Sequence, residues 1–362
     1  MTDDTYEVYA IKYARLSRRS PDNFIGGDEH DTEMPLNYYV WVISGRDRTI
    51  LVDTGFGEAM AKKRGRQIVR PVAEGIAALG IEPANVKDVI ITHMHYDHAG
   101  NLPLFPNARY HLQDKEMDFA TGRCMCHSLL RHGYEADDVV HMVQCVFDER
   151  VQFHDGTAEI APGIEAHHIG GHTKGLQSVR VRTRRGWVVL ASDASHFYAH
   201  MEQGRAFPIV YNVHDMLAGH ETLRKLATSR NHIVPGHDPL VMARYPAARP
   251  GTDDWIVRLD ADPTQSLGFF YRGREDRLRD RRNRSPPRRL CASRPLQACR
   301  RQGRQQHLPF VSSPRDFEVG AARSMQNDAP TRDSRSNGTH SLCRTHPRDG
   351  KVSVRRCLRL AN

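Results

Sequence analysis

The chain has 362 residues, 39% apolar and 26% charged, a balance that suits a globular protein with a sizeable core. Its longest apolar runs are strand-sized, such as Trp187 to Ala191, and none approaches the ~20 residues of a membrane span. The net charge of +9 is unevenly spread: residues 263–362 carry 22 Arg, 1 Lys and 8 acids, or +15, which leaves −6 for residues 1–262 and excludes reading the whole chain as a nucleic-acid binder.

The N-terminal segment holds two aspartates and no basic-then-apolar leader, which predicts a cytoplasmic protein. Tyr6 to Tyr13 and Tyr38 to Ser44 read as strands, and the turn residues Gly45 to Asp47 followed by Thr49 to Val52 predict a hairpin. Ala59 to Leu79 carries apolar residues at helical spacing (Ile68, Val72, Ile76, Leu79) and stops at Gly80, so a single helix is predicted there. Val86 to Thr92 is a short buried strand. Gln113 to Ala120 and Ala136 to Phe147 read as helices, and Val151 to Phe153, Ile164 to Ile169, Ser178 to Thr183 and Trp187 to Ser192 as strands. A helix over His214 to Ser229 and a strand over His232 to Val234 complete the series. Strands interspersed with helices, in two groups, predict an α/β fold of two sheets with helices outside.

The pattern dissolves near residue 260. Beyond it stand Arg/Pro/Ser clusters such as Arg277 to Arg289, so residues 261–362 read as a disordered basic tail or as a non-native, out-of-frame segment. Residues 1–260 form the expected catalytic domain. The seven cysteines (124, 126, 145, 291, 299, 343 and 357) are an odd number without a C-x-x-C pair, which fits reduced thiols better than a disulfide framework.

The chemistry is concentrated in Ile90-Ile91-Thr92-His93-Met94-His95-Tyr96-Asp97-His98-Ala99-Gly100. An apolar strand runs into four potential ligands within six residues. His93 and His95 point to one side if the strand conformation continues, while Asp97 and His98 turn with the chain toward a second point. Two imidazoles suit one borderline metal ion, and a carboxylate with another imidazole suits a neighbouring one.

This string resembles the metallo-β-lactamase superfamily, and further motifs of that family follow through about residue 250. Leu51-Val52-Asp53-Thr54-Gly55 resembles its strand-end D-T-G, whose Asp orients a ligand histidine. Gly170-Gly171-His172-Thr173 resembles its G-H-T turn, Ala191-Ser192-Asp193 the strand ending in a bridging carboxylate, and Val234-Pro235-Gly236-His237 the final histidine. The resemblance implies an αββα sandwich of two mixed sheets flanked by helices. It also implies two metal ions, taken as Zn2+ with Fe, Mn or Co as substitutes. His93, His95 and His172 would hold one ion, Asp97, His98 and His237 the other, and Asp193 both. His167 and His168 read as scaffold or cleft lining.

Within the superfamily, the layout and the string His-Met-His-Tyr-Asp-His-Ala-Gly-Asn look most like the N-acyl-homoserine lactonase branch, which implies ring opening by a metal-bridging hydroxide. The substrate is then an N-acyl-homoserine lactone or a lactone from aromatic ring-cleavage catabolism. Many members place a tyrosine three residues after the bridging Asp; here that position holds His196, with Tyr198 two residues on. The catalytic candidates are therefore Asp97, His196 and Tyr198. The loop Ser17 to Leu36 borders the cleft in that branch, and its Phe24 and Ile25 either touch substrate or pin the loop. Glyoxalase II-like thioester hydrolysis is the enzymatic alternative, and a metal- or nucleic-acid-binding protein without catalysis the non-enzymatic one. The expected partner is a small-molecule lactone; neither membrane nor nucleic acid is expected, and a homodimer is compatible with the sequence.

Overall fold

A computed structural model of the protein describes residues 5–265; the Arg/Pro/Ser-rich segment read as a tail lies outside the described residues from 266 onward. The first sheet contains β1 (Glu7–Leu16), β2 (Leu36–Ser44), β3 (Thr49–Val52), β4 (Gln67–Ile68), β5 (Asp88–Ile90), β6 (Arg109–Gln113) and β7 (Val151–His154). The second contains β8 (Thr157–Ala161), β9 (Ile164–His168), β10 (Gln177–Thr183), β11 (Gly186–Ser192) and β12 (Ile233–Pro235), while β13 (Ile256–Arg258) returns to the first, outside β1. Spatial order is β13-β1-β2-β3-β5-β6-β7 in the first sheet, with β4 also on β1, and β12-β11-β10-β9-β8 in the second. Both are mixed: β3, β5, β6 and β7 run parallel, β1 to β3 antiparallel, and β12 is parallel to β11.

Side-chain alternation explains the layering. Along β2, Tyr39, Trp41 and Ile43 enter one core with Val179, Val181 and Leu190 of the second sheet. Tyr38, Val40 and Val42 point the other way, into a core shared with the helices that carry Ile76, Phe119 and Met142. A strand covered on both faces has to be apolar throughout, which is why β2 reads as an unbroken run. Trp41 is fully buried between the sheets; removing it as Trp41→Ala would cost about 3–5 kcal/mol. The helix Val213–Leu226 covers the second sheet against β11, so the αββα sandwich is the observed fold.

The helix predicted over Ala59 to Leu79 is divided in the structure. It runs as Glu58–Arg64, ends at Gly65 in the left-handed region (φ 64°), passes through β4, and resumes as Val72–Ala78 after Pro71. Gly65 closes the first segment and Pro71 opens the second, so the apolar spacing spans a break. β6, β8 and β13 are strands beyond those that the sequence pattern predicts. In β6 the buried polar residues hid the pattern: His111 is bonded to Asp88 and His154, and Gln113 to Gln177. The fold extends past residue 260, since Thr264 N donates to Arg244 O at 2.7 Å and Arg244 Nε to Gln265 O at 3.3 Å. Among the described residues no helix is long and apolar enough to cross a membrane.

Candidate metal centre

Every expected ligand lies where a strand of one sheet or the other gives way to a loop. β5 ends at Ile90, and Thr92 to His95 continue as an extended loop into the short helix Tyr96–Ala99, so Asp97 and His98 project from its first turn. From the second sheet come His172, in the turn after β9, Asp193, directly after β11, and His237, just past β12. Ser192 and Asp53 adopt positive φ (47° and 62°), which turns the chain sharply where β11 and β3 deliver their carboxylates.

Asp193 organises the cluster. Its Oδ1 lies 2.9 Å from His237 Nε2 and 3.4 Å from His98 Nε2, while its Oδ2 lies 3.1 Å from His172 Nε2 and 3.8 Å from His93 Nε2. His172 Nε2 is 3.0 Å from His95 Nδ1. Asp97 Oδ2 sits 3.7 Å from His98 Nε2 and 3.9 Å from His237 Nε2. Two groups thus form around one carboxylate: His93, His95 and His172 with Asp193, and Asp97, His98 and His237. The seven residues expected as ligands lie together in these two groups.

Partners outside the cluster hold the rings in orientation. His98 Nδ1 donates to Asp53 Oδ2 (2.7 Å), His172 Nδ1 to the carbonyl of Ile209 (2.7 Å), and His237 Nδ1 to the carbonyl of Asn37 (2.9 Å). Each bond leaves Nε2 facing inward without its proton when the ring is neutral. Burial, reinforced by neighbouring imidazoles, pushes His93 and His95 well below the usual histidine range, so both are neutral donors. Burial opposes ionisation of Asp193, yet the surrounding histidines, His196 and His237 foremost, hold it well below the usual carboxylate range. His93 Nε2 and His98 Nε2 are buried and have no hydrogen-bond partner. Unsatisfied, inward-facing lone pairs beside a shared carboxylate are the donor set that divalent metal ions require, so these residues fit the two-metal expectation.

Residues that sequence reasoning missed surround this set. Glu116, fully buried, accepts from Met94 N (2.9 Å), Tyr134 Oη (2.7 Å), Thr173 Oγ1 (2.6 Å) and Gly175 N (3.1 Å), tying the His93–His95 segment to the His172 turn. Gly133 lies so close to His95 that a Cβ there would stand 2.5 Å from the ring. His196 Nε2 is 3.1 Å from Asp193 Oδ2, and its ring stacks on Phe207 at 3.7 Å between centroids. Tyr198 is not brought to the cleft: it is buried in the inter-sheet core beneath the Arg244 guanidinium, 4.6 Å from its ring centroid. His167 and His168 are scaffold, bonded to Glu165 and to the carbonyl of Lys174. Phe24 is buried and pins its loop, while Ile25 is exposed.

The cluster forms the floor of a cleft whose walls include Arg18, Leu36, Tyr38, Arg66, Tyr96 and Phe207. The metallo-beta-lactamase superfamily profile matches residues 34–237, and the chain belongs to that superfamily. Among curated proteins it is similar to an N-acyl homoserine lactonase of a Bacillus species (26% identical over 179 residues, 45% of this chain and 66% of that one). It is also similar to the N-acyl homoserine lactonase AttM of Azorhizobium caulinodans (28% over 234 residues, 59% and 85%). The chain spans just under two thirds of the length of the Bacillus relatives it matches. A solved N-acyl homoserine lactone hydrolase with the product N-hexanoyl-L-homoserine at its catalytic metal center shares the fold, with TM-score 0.54 and 23% identity over 65% of this chain and 93–94% of such chains.

Proposed function

We propose that the protein is a dinuclear metal-dependent hydrolase that opens lactone rings. The observation that carries this reading is the division of the two Asp193 oxygens between two groups of inward-facing imidazoles on the floor of one cleft. His93, His95 and His172 would hold one ion, Asp97, His98 and His237 the other, with Asp193 shared. Zinc is the ion we expect from the His/Asp donor set. Two such ions supply Lewis acidity at the ester carbonyl and a water that is nucleophilic at neutral pH.

The chain's own residues do the remaining work. Asp193 and Asp97 are the carboxylates among the residues lining the cleft. Asp193 is enclosed by imidazoles, so Asp97 is the group placed to take a proton from the attacking water and return it to the departing ring oxygen. His196 lines the same space and, neutral because burial holds it well below the usual range, has a single N–H to give. Were Asp193 Oδ2 taken up by a metal ion, the Nε2–H that faces it at 3.1 Å would be the donor left for the carbonyl oxygen as negative charge grows there. Cytoplasmic residence belongs to the same proposal, supported by the unpaired thiols of Cys124, Cys126 and Cys145. Residues 1–265 would suffice for activity.

Metal-replete protein assayed against lactones, thioesters and β-lactams tests the reading: lactone turnover abolished by chelation and restored by Zn2+ is expected. Turnover confined to thioesters would replace lactonase activity with a glyoxalase II-like one.

A further inference from the structure

Two arginines in this cleft have no carboxylate partner among the described residues. Arg18 Nε is buried without a hydrogen-bond partner, and its guanidinium carbon lies 5.2 Å from the ring centroid of Phe207, the residue stacked on His196. Arg66 donates from Nε to Tyr96 Oη at 3.0 Å and from Nη1 to the carbonyl of Arg64. Neither bond neutralises charge, because a phenol hydroxyl and a peptide carbonyl are both uncharged acceptors. Arg64 differs: it is paired with Glu135 at 2.7 Å and is thereby accounted for. Other charged groups facing the pair do not cancel it. Asp22 meets Arg18 through its backbone carbonyl, and Asp97 is committed to the metal cluster.

Half-burying a guanidinium in a protein normally brings a carboxylate with it. Here two stand at the entrance to a site whose floor would itself be cationic once loaded, and the field of such a cleft draws in anions. An N-acyl-homoserine lactone has no charge to offer them. We infer, resting on the lactonase reading above, that the natural substrate is a lactone bearing a carboxylate, which Arg18 and Arg66 hold while the ring ester lies over the metal cluster. Arginine suits this role because its planar fork meets both carboxylate oxygens. Such lactones arise when an oxidatively opened aromatic ring, already a dicarboxylic acid, closes one carboxyl group onto its own chain. The reaction that supplies the substrate would then be an acid cyclisation.

The test compares 5-oxotetrahydrofuran-2-carboxylate with its uncharged carboxamide, using metal-replete protein. A preference of about a hundredfold in kcat/KM for the carboxylate is expected, carried by KM. Arg18→Gln and Arg66→Gln should each reduce that preference about tenfold, by raising KM for the carboxylate more than for the amide while bound metal stays the same, with Arg18→Lys intermediate. Equal turnover of the two lactones, or variants that slow both alike, would overturn the inference while leaving the lactonase reading intact. Turnover of N-hexanoyl-homoserine lactone without turnover of either probe overturns it in the same way. If no lactone is opened by protein carrying two metal ions, the underlying lactonase reading fails with it.

Discussion

Asp53 Oδ2 accepts a hydrogen bond from His98 Nδ1 at 2.7 Å, and this contact determines which nitrogen of the ring faces Asp193. The same carboxylate accepts from Thr92 N (2.7 Å) and Thr92 Oγ1 (2.8 Å), so one side chain fixes both the ring and the loop that carries it. Asn in place of Asp retains the shape and tolerates the positive φ, but its amide nitrogen cannot accept from an imidazole N–H. Asp53→Asn should weaken metal binding by about 10–100-fold, chiefly in the Asp97/His98/His237 group. Competition titration with a chromophoric chelator measures it; unchanged affinity for both ions would show that His98 is oriented by other contacts.

Metal content separates the two groups. Purified active protein should carry about two ions per chain. His237→Ala should empty mainly the group containing Asp97 and His98, and His172→Ala mainly the group containing His93 and His95. Because the ions bind only the assembled ligand set, chelation should lower Tm, each site contributing about 2.7 kcal/mol when metal is at a hundred times Kd. Elemental analysis and calorimetry on the same samples check both; one ion in fully active protein would refute the shared role of Asp193.

His196→Ala should reduce kcat by about 10²–10³ with metal content intact, since a donor to the developing oxyanion is lost. Tyr198→Phe should leave kcat unchanged, because the phenol lies in the inter-sheet core under Arg244. Parallel steady-state kinetics decide: slowing by the tyrosine change alone would move the donor role to Tyr198.

His220 on the helix Val213–Leu226 offers a pH prediction away from the cluster. Burial, with help from Arg224, brings it down to about 4. Its unfolded value is about 6.5, so between these the unfolded chain binds the proton first and stability falls as pH falls. The contribution is complete above about pH 6.5 and lost toward pH 4, on the order of 3 kcal/mol at most. His220→Met should flatten the decline of Tm over that window; an unchanged decline would assign acid sensitivity elsewhere.

The ligands were legible because each is the punctuation of a strand: an apolar run followed at once by His or Asp, in Ile90-Ile91-Thr92-His93 as in Leu190-Ala191-Ser192-Asp193. What surrounds them was not. Glu116 acts on Met94 and Thr173, 22 and 57 residues away, and nothing local in Asp114-Lys115-Glu116-Met117 distinguishes it from a helix-surface acid. Gly133 is required only because the His95 ring arrives there. Arg66 reaches the cleft because Gly65 and Pro71 interrupt what periodicity alone reads as one helix, so the misread element and the missed wall residue have one cause. Tyr198 stands two residues past the position where the lactonase branch carries a tyrosine, but the turn into the helix Tyr198–Gln203 carries it into the core.

Neither sheet carries a complete set of metal donors, and the last of them is anchored to the carbonyl of Asn37 from 200 residues away. During translation the chain therefore exposes His93, His95, Asp97 and His98 well before His237 exists. At about 5–20 residues per second that interval is roughly seven to thirty seconds. Over that time the nascent chain offers only a partial, weak chelate, open to whichever soft or abundant ion the cell has free. The full set of seven residues is complete only after the second sheet docks, so tight binding waits on the whole span from His93 to His237.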